Sequence, residues 1–352
     1  MIYNFSPGPG VLPLEVKQQI AEQWDDFAGT GSNVCELSHR GAVFTEVAER
    51  AEAKLRGLLS IPDDYAVLFT QGGATQQFSC IPWNFGGPAG YLVTGHWSAK
   101  AKRLAAAEIE VGLVADAGPD FKAVPEVADW NVDPRWRYLH ITSNETIHGI
   151  RLPQVPKGLP LVSDMSSSLL GEQIDVSDYA AIYASSQKNL GPAGLTIVIV
   201  RRSIVDSVPD GVANFANYRV IDRAGSMHNT PPTFAWYAAG LVFEWVERQG
   251  GVAAMGRRNE KRALRLYEAI DNSGIFRNNV DVVCRSWMNV TFQLTDERLL
   301  DKFLDLSQQA GLHALKGHRA VGGLRASLYN AMPDDGVDAL IEFLREFEKR
   351  HG

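Results

Sequence analysis

From residue 65 onward the chain alternates short apolar runs with segments of helical pattern, and this alternation constrains the fold more than any other feature. "YAVLFT" reads as a buried strand and passes into "QGGATQQFSCIPW", a glycine turn that opens a helix. "GYLVTG" then leads into "HWSAKAKRLAAAE", whose alanines and long side chains favour helix. "EVGLVADA", "RYLHIT", "PLVSDM", "AAIYAS" and "LTIVIVRR" continue the strand-like series. This spacing predicts a mostly parallel α/β sheet with helices on both faces.

After Pro231-Pro232 the texture changes. "TFAWYAAGLVFEWVERQGG" and "VAAMGRRNEKRALRLYEAI" predict two long helices with a joint at Gly250-Gly251. Then come "VVCRSWMNVTFQL" (strand-like), "DERLLDKFLDLSQQAG" (helix), "GLRASLY" (strand) and "DGVDALIEFLREFEKR" (helix). The expected organisation is a large α/β domain over 14–251 and a small α+β domain over 252–352. Residues 1–13, too irregular to fold alone, are expected to pack against the small domain and join the two.

A formal charge of −7 argues against nucleic acid or anionic membranes as partners. It leaves room for an anionic substrate, since a few arginines in one pocket reverse the local field. Cys35, Cys80 and Cys284 form no CxxC or metal-type spacing, so no metal site is expected and a reducing, cytoplasmic setting fits best. "MIYNFSPGPGVLP" lacks the basic stretch and apolar core of a signal peptide. No apolar run approaches the roughly 20 residues that span a bilayer.

Several residues have the chemistry for a site. Gly72-Gly73-Ala74-Thr75 lies between a strand and a helix, where free N–H groups and partial positive charge suit a phosphate. The same turn joins strands to helices in many proteins without a ligand, and it is neither a Walker A motif nor GxGxxG. Asp164, in "LVSDMSSS", falls at the C-terminal end of a buried strand, as a helix cap or as a carboxylate in the ligand crevice of an open sheet. Lys188, in "ASSQKNLGPAG", follows the next strand. Alone it reads as a solvated lysine, but an amine and a carboxylate at neighbouring strand ends suit pyridoxal phosphate.

"SSQKNLGPAG", "SNETIHG", "QGGATQQF", "GHWSAKA", "SHRG", "HNTPPTF" and "KGHRAVGGLRASLYNAM" together resemble the phosphoserine aminotransferase family. These are class V, fold-type I enzymes of the pyridoxal-phosphate superfamily. The resemblance runs from "NFSPGPGVLP" to the C-terminal helix, and the last motif separates this family from other class V aminotransferases. It implies a fold-type I transferase with a mostly parallel, seven-stranded sheet in its large domain. The implied activity is transamination of 3-phosphohydroxypyruvate with glutamate to give phosphoserine and 2-oxoglutarate, in serine biosynthesis. A phosphorylated hydroxythreonine, on the route to pyridoxal phosphate, is a second substrate within the family.

The resemblance implies a role for each site residue. Lys188 would be the Schiff-base lysine and carry the proton at the substrate α-carbon. Asp164 would hold the pyridinium nitrogen, Trp97 would stack on the cofactor ring, and Thr146 would offer its hydroxyl to the phenolic oxygen. Ala74, Thr75 and Gln187 would bind the cofactor phosphate, with Asn229 and Thr230 reaching it from the second subunit of a homodimer. Arg325 would take the substrate carboxylate in a bidentate fork. His318 and Arg319, with His39 and Arg40 partly across the dimer interface, would take the substrate phosphate or the side-chain carboxylate of glutamate. By composition alone Trp97 reads as a core residue, "HNTPP" as a turn, and each His-Arg pair as a surface ion pair. Many family members carry serine where this chain has Pro7, which has no N–H to donate.

Three other readings compete. A small-amino-acid:glyoxylate aminotransferase of class V, acting on alanine or serine, would have little use for two His-Arg pairs. A cysteine desulfurase needs a nucleophilic cysteine on a mobile loop, whereas Cys284 sits in the strand-like "DVVCRSW". A non-catalytic binding protein on the same scaffold would not need Lys188, Asp164 and Trp97 together.

Overall fold

The apolar runs become one sheet because the inner strands are buried on both faces. In the computed structural model, which describes all 352 residues, seven strands lie in the spatial order Tyr65–Gln71, Leu195–Arg201, Tyr179–Ser185, Leu161–Asp164, Leu139–Thr142, Ala89–Val93, Val111–Asp116. Leu195–Arg201 is antiparallel to both neighbours, and every other pair is parallel. Successive side chains point to opposite faces. Tyr65, Val67, Phe69, Ile182 and Ile197 therefore enter one core, while Ala66, Leu68, Ala181, Tyr183 and Val198 enter the other.

Helices cover both faces. Ala42–Leu59 buries Phe44, Val47, Ala48, Ala51, Leu55 and Leu59, a stripe at three- and four-residue spacing, against the first core. Thr233–Arg248 packs beside it, and Gly240 lets the two helices close, since a Cβ there would lie 3.2 Å from that of Ala51. The second core is covered by Ala74–Phe85, His96–Ala105 and Tyr218–Arg223. No helix is long and apolar enough to cross a membrane.

The C-terminal part is a three-stranded antiparallel sheet, Phe276–Arg277, Asn289–Leu294 and Leu324–Ser327. Its core gathers Phe276, Phe292, Phe303 and Phe347 beneath the helices Gly251–Asp271, Leu300–Gln309 and Asp334–His351. Tyr3–Asn4 pairs in parallel with Leu312–His313, and Phe5 is buried in the same core. Gly251–Asp271 serves both parts: Val252 and Met255 enter the large core, and Leu266 and Ile270 the small one. We infer a domain boundary near residue 252, at the joint where Gly250 and Gly251 take φ of 95° and 76°.

The segment "VVCRSWMNVTFQL" departs from its sequence pattern. Only Asn289–Leu294 is a strand, while Val282–Cys284 forms a short 3-10 turn. Local polar groups compete with the sheet there: Asp281 accepts from Val283 N–H, and Ser286 Oγ accepts from Met288 and Asn289 N–H. Cys284 is therefore on a turn rather than in a strand, though it is buried and its Sγ accepts from Val124 N–H.

A buried amide network ties this sheet to the end of the large one. Asn289 accepts from Asn144 Nδ2 at 2.8 Å and donates to Ser327 Oγ at 2.9 Å. Asn144 donates in turn to Ser167 Oγ at 2.8 Å. Asn289→Ala leaves two buried partners short and should lower the unfolding free energy by about 1–3 kcal/mol. Urea denaturation followed by circular dichroism measures this.

Candidate active site

Parallel strands end together, and the loops that leave them build the site. Thr142 lies opposite Asp164, and Asp164 opposite Tyr183, so the ends of these strands open on one crevice. A cavity of about 130 Å³ there is lined by Ala74, Thr75, Trp97, Thr146, Asp164, Gln187 and Lys188. Seven residues from five separate stretches of sequence thus converge. Thr142, Asn144, Ser166, Ser167 and Ser185 complete its polar lining.

Lys188 Nζ donates to Thr146 Oγ1 at 2.7 Å. Burial pushes its amine down to about 8; Asp164 and Glu145 oppose the shift, and Arg325 adds to it. Asp164 is 5% exposed and accepts from Ser166 N–H at 2.9 Å. Burial raises its carboxyl above the ordinary range, against the pull of Ser166 and of Lys188. No basic side chain forms an ion pair with it. A buried carboxylate that faces a cavity without a counter-ion is suited to a cationic ligand group.

Another part of the cavity lining is suited to an anion. Gly72 turns the chain with φ of 91°, and a Cβ there would overlap Gln76. The helix Ala74–Phe85 then begins with Gly73 as its cap, presenting the first-turn N–H groups of Ala74 and Thr75. Lys100 Nζ donates to Thr75 Oγ1 at 3.4 Å and lies 5.3 Å from the centre of the Trp97 ring. The sequence reading missed Lys100, although its spacing from Trp97 on a helix places both on one face. The indole N–H of Trp97 is buried without a partner. A cation-seeking carboxylate, a lysine amine, an indole wall and an anion cradle fit pyridoxal phosphate.

Arg325 and His318 line a neighbouring cavity of about 300 Å³. Arg325 is 5% exposed, and its Nη1 donates to the Thr146 carbonyl at 3.2 Å, on the wall between the two cavities. His148, Lys122 and Arg277 also face this second space, against one carboxylate, Asp120. His96 joins them: its ring lies 5.7 Å from that of His318, and its N–H donates to His148 Nδ1. Burial first, then neighbouring positive charge, holds all three imidazoles below the ordinary histidine value, His148 at about 4.

The remaining expected residues stand apart within one chain. Arg319 is exposed and lines neither cavity. His39 and Arg40 precede the helix Ala42–Leu59, Arg40 exposed and His39 Nε2 buried without a partner. Asn229 donates to Gln71 Oε1 at 3.1 Å, and the Thr230 carbonyl accepts from Gln71 Nε2. Asn229 lies on a separate groove of about 340 Å³ with Trp83, Phe215 and Tyr218. Pro7 offers only its carbonyl, which accepts from the Tyr329 hydroxyl.

The class of protein follows from comparison with known families. The sequence profile described as aminotransferase class-V matches residues 2–340, and the chain belongs to that class of pyridoxal-phosphate-dependent aminotransferases. Within it, the phosphoserine aminotransferases of Laribacter hongkongensis and Aromatoleum aromaticum are 48% and 49% identical to it, over 100% of this chain and 99% of theirs. The crystallised phosphoserine aminotransferase from Bacillus circulans subsp. alkalophilus superposes with a TM-score of 0.97 at 41% identity, covering 100% of this chain and 99% of that one. A pyridoxal-phosphate-bound phosphoserine aminotransferase from Trichomonas vaginalis gives 0.94 at 39%, covering 98% and 100%. The chain is a member of the phosphoserine aminotransferase family. An alanine–glyoxylate aminotransferase from Nostoc, 16% identical, shares the fold alone.

The electrostatics around Lys188 are testable. In the cofactor-free protein its reaction with an amine reagent should titrate near pH 8, as burial dictates. Asp164→Asn removes a charge that favours the ammonium, so the midpoint should fall further. Peptide mapping of the labelled lysine against pH measures both.

Proposed function

We propose that this chain converts 3-phosphohydroxypyruvate and glutamate into phosphoserine and 2-oxoglutarate, reversibly. The observation that carries the reading is the single cavity holding Lys188, Asp164, Thr146 and Trp97. The neighbouring cavity lined by Arg325 and His318 supports it as well, since a doubly anionic substrate requires cationic donors.

When bound, pyridoxal phosphate supplies an electron sink that stabilises negative charge developing at the substrate α-carbon. Asp164 would hold the ring nitrogen protonated through an ion pair in a low-dielectric crevice. Trp97 would hold the ring flat from one side, and Thr146 would orient the phenolic oxygen. Ala74 and Thr75 N–H groups, the Gln187 amide and Lys100 would bind the phosphate. Lys188 Nζ would form the covalent link and move the proton at the α-carbon. With its amine near 8, about a tenth is unprotonated at pH 7, against under a thousandth for an ordinary lysine.

Arg325 would clamp the carboxylate shared by all amino-acid substrates. Its guanidinium is already fixed by Thr146, next to Lys188, so the α-carbon would be held close to the amine. His318 and Arg319 would read the distal phosphate, or the glutamate side-chain carboxylate, with His39 and Arg40. We propose a symmetric homodimer in which one His-Arg pair, with Asn229 and Thr230, reaches the neighbouring site. The apolar groove beside Asn229, with Phe215 exposed at 68%, is a surface such a dimer would bury.

Lys188→Ala should retain cofactor without a covalent bond and lose transamination by roughly a thousand-fold or more. Borohydride reduction of the wild type should label Lys188, and labelling of another lysine would overturn the assignment. Arg319→Leu should lower the ratio of phosphoserine to serine activity roughly thirty- to a thousand-fold, because an unpaired phosphate dianion is costly to desolvate. An unchanged ratio would remove the substrate assignment. Sedimentation at assay concentration should show a dimer, and a fully active monomer would refute the shared site.

A further inference from the structure

Glu145 is fully buried, lines neither cavity and has no basic partner. Both of its oxygens face the first turn of the helix His96–Ala105. Oε2 accepts from Trp97 N–H at 3.0 Å; Oε1 accepts from Ser98 N–H at 2.8 Å and from Ser98 Oγ at 2.7 Å. Ser98 Oγ itself accepts from Thr94 and Gly95 N–H at 2.9 and 3.0 Å. Its proton is therefore free for Glu145, which is nearer than the Gly95 carbonyl at 3.1 Å. Every hydrogen-bond partner of the carboxylate is a donor, as an anion requires. Burial pushes the Glu145 carboxyl up, and the hydrogen bonds from Ser98 and Trp97 push back.

The helix needs this carboxylate because its own cap position cannot supply one. Gly95 stands at the cap and has no side chain. Its φ of 174° is extended backbone open to any residue, so the glycine is there for space. A Cβ at Gly95 would lie 2.5 Å from Glu145 Cδ. Glu145 thus caps, from 48 residues along the chain, the helix whose second residue is the cavity-lining Trp97. The indole makes no hydrogen bond of its own, so hydrogen bonds fix Trp97 only through its backbone.

The residue after Glu145 faces the other way. Thr146 holds Lys188 Nζ through its hydroxyl and Arg325 through its carbonyl. One buried carboxylate therefore joins two parts of the cavity lining, the indole and the lysine's hydroxyl partner. Its charge also reaches the amine: Asp164 and Glu145 favour the ammonium form of Lys188, against burial and Arg325.

We propose that Glu145 is a positioning residue of the active site, which fixes Trp97 relative to Thr146 from outside the cavity. This rests on the reading that the cavity holds pyridoxal phosphate. It acts through its neighbours and touches no reacting atom.

The test compares the full chain, loaded with pyridoxal phosphate, as wild type, Glu145→Gln and Glu145→Asp. Glutamine keeps the size, removes the charge and turns one acceptor into a donor facing a donor. It should weaken cofactor binding about ten-fold or more, read by fluorescence on reconstitution. It should also lower the pH midpoint of the visible absorbance band of the bound cofactor by about half a pH unit or more. Aspartate keeps the charge but is too short to hold all three donors, so binding should weaken while the midpoint stays. A purely structural cap would lower the thermal unfolding midpoint of both variants and leave affinity and absorbance as in wild type; that outcome overturns the proposal. Should the glutamine variant not fold, a folded aspartate variant with wild-type affinity overturns it equally. Wild type that takes up no cofactor would instead overturn the reading of the cavity, and Glu145's role with it.

Discussion

Asp164 and Lys188 carry opposite charges at the ends of neighbouring parallel strands, in a crevice where an uncompensated charge is costly. They do not form an ion pair. Lys188 is held by Thr146, and Asp164 by the Ser166 backbone. That separation is the constraint on which the rest depends. Were the two to pair directly, the carboxylate would lose its call for an external cation and the amine its depressed proton affinity. Parallel pairing prevents this by fixing both strand ends, and the amide network of Asn144, Ser167 and Asn289 holds the intervening loop in place.

Charge is segregated as well as buried. The chain as a whole carries −7, yet the space beside the lysine cavity is faced by His148, His318, Lys122, Arg277 and Arg325. Burial first, and then neighbouring positive charge, holds the His148 and His318 imidazoles below the ordinary histidine value. The space thus offers hydrogen-bond donors with less accumulated positive charge than protonated imidazoles would add. Net charge describes the surface, whereas substrate choice depends on a handful of side chains in one cleft.

Much of this was legible in the chain. The short apolar runs carried the seven strands, because the inner strands are buried on both faces and so read as near-continuous apolar stretches. Lys188 and Asp164 were visible as polar residues just beyond such runs. The 3-10 turn at Val282–Cys284 was not, since Asp281 and Ser286 override β-branched propensity through bonds to nearby backbone. Lys100 and Glu145 were missed for different reasons. Lys100 looked like any helical surface lysine, and Glu145 like a polar loop residue. Its burial depends on a glycine 50 positions earlier, a relation no local window contains.

By itself, then, the sequence determined which segments become strands and helices, where glycine must turn the chain, and which residue types could bind an amine-reactive, doubly anionic ligand set. Those are local matters of propensity, periodicity and side-chain chemistry. Only the tertiary structure decided that seven dispersed residues face one cavity, that Arg325 reaches the Thr146 carbonyl, and that Glu145 caps a distant helix. The reason is physical. Burial and the local field shift a lysine amine to about 8 and make a lone carboxylate seek a cation, and both arise from groups far apart in the chain.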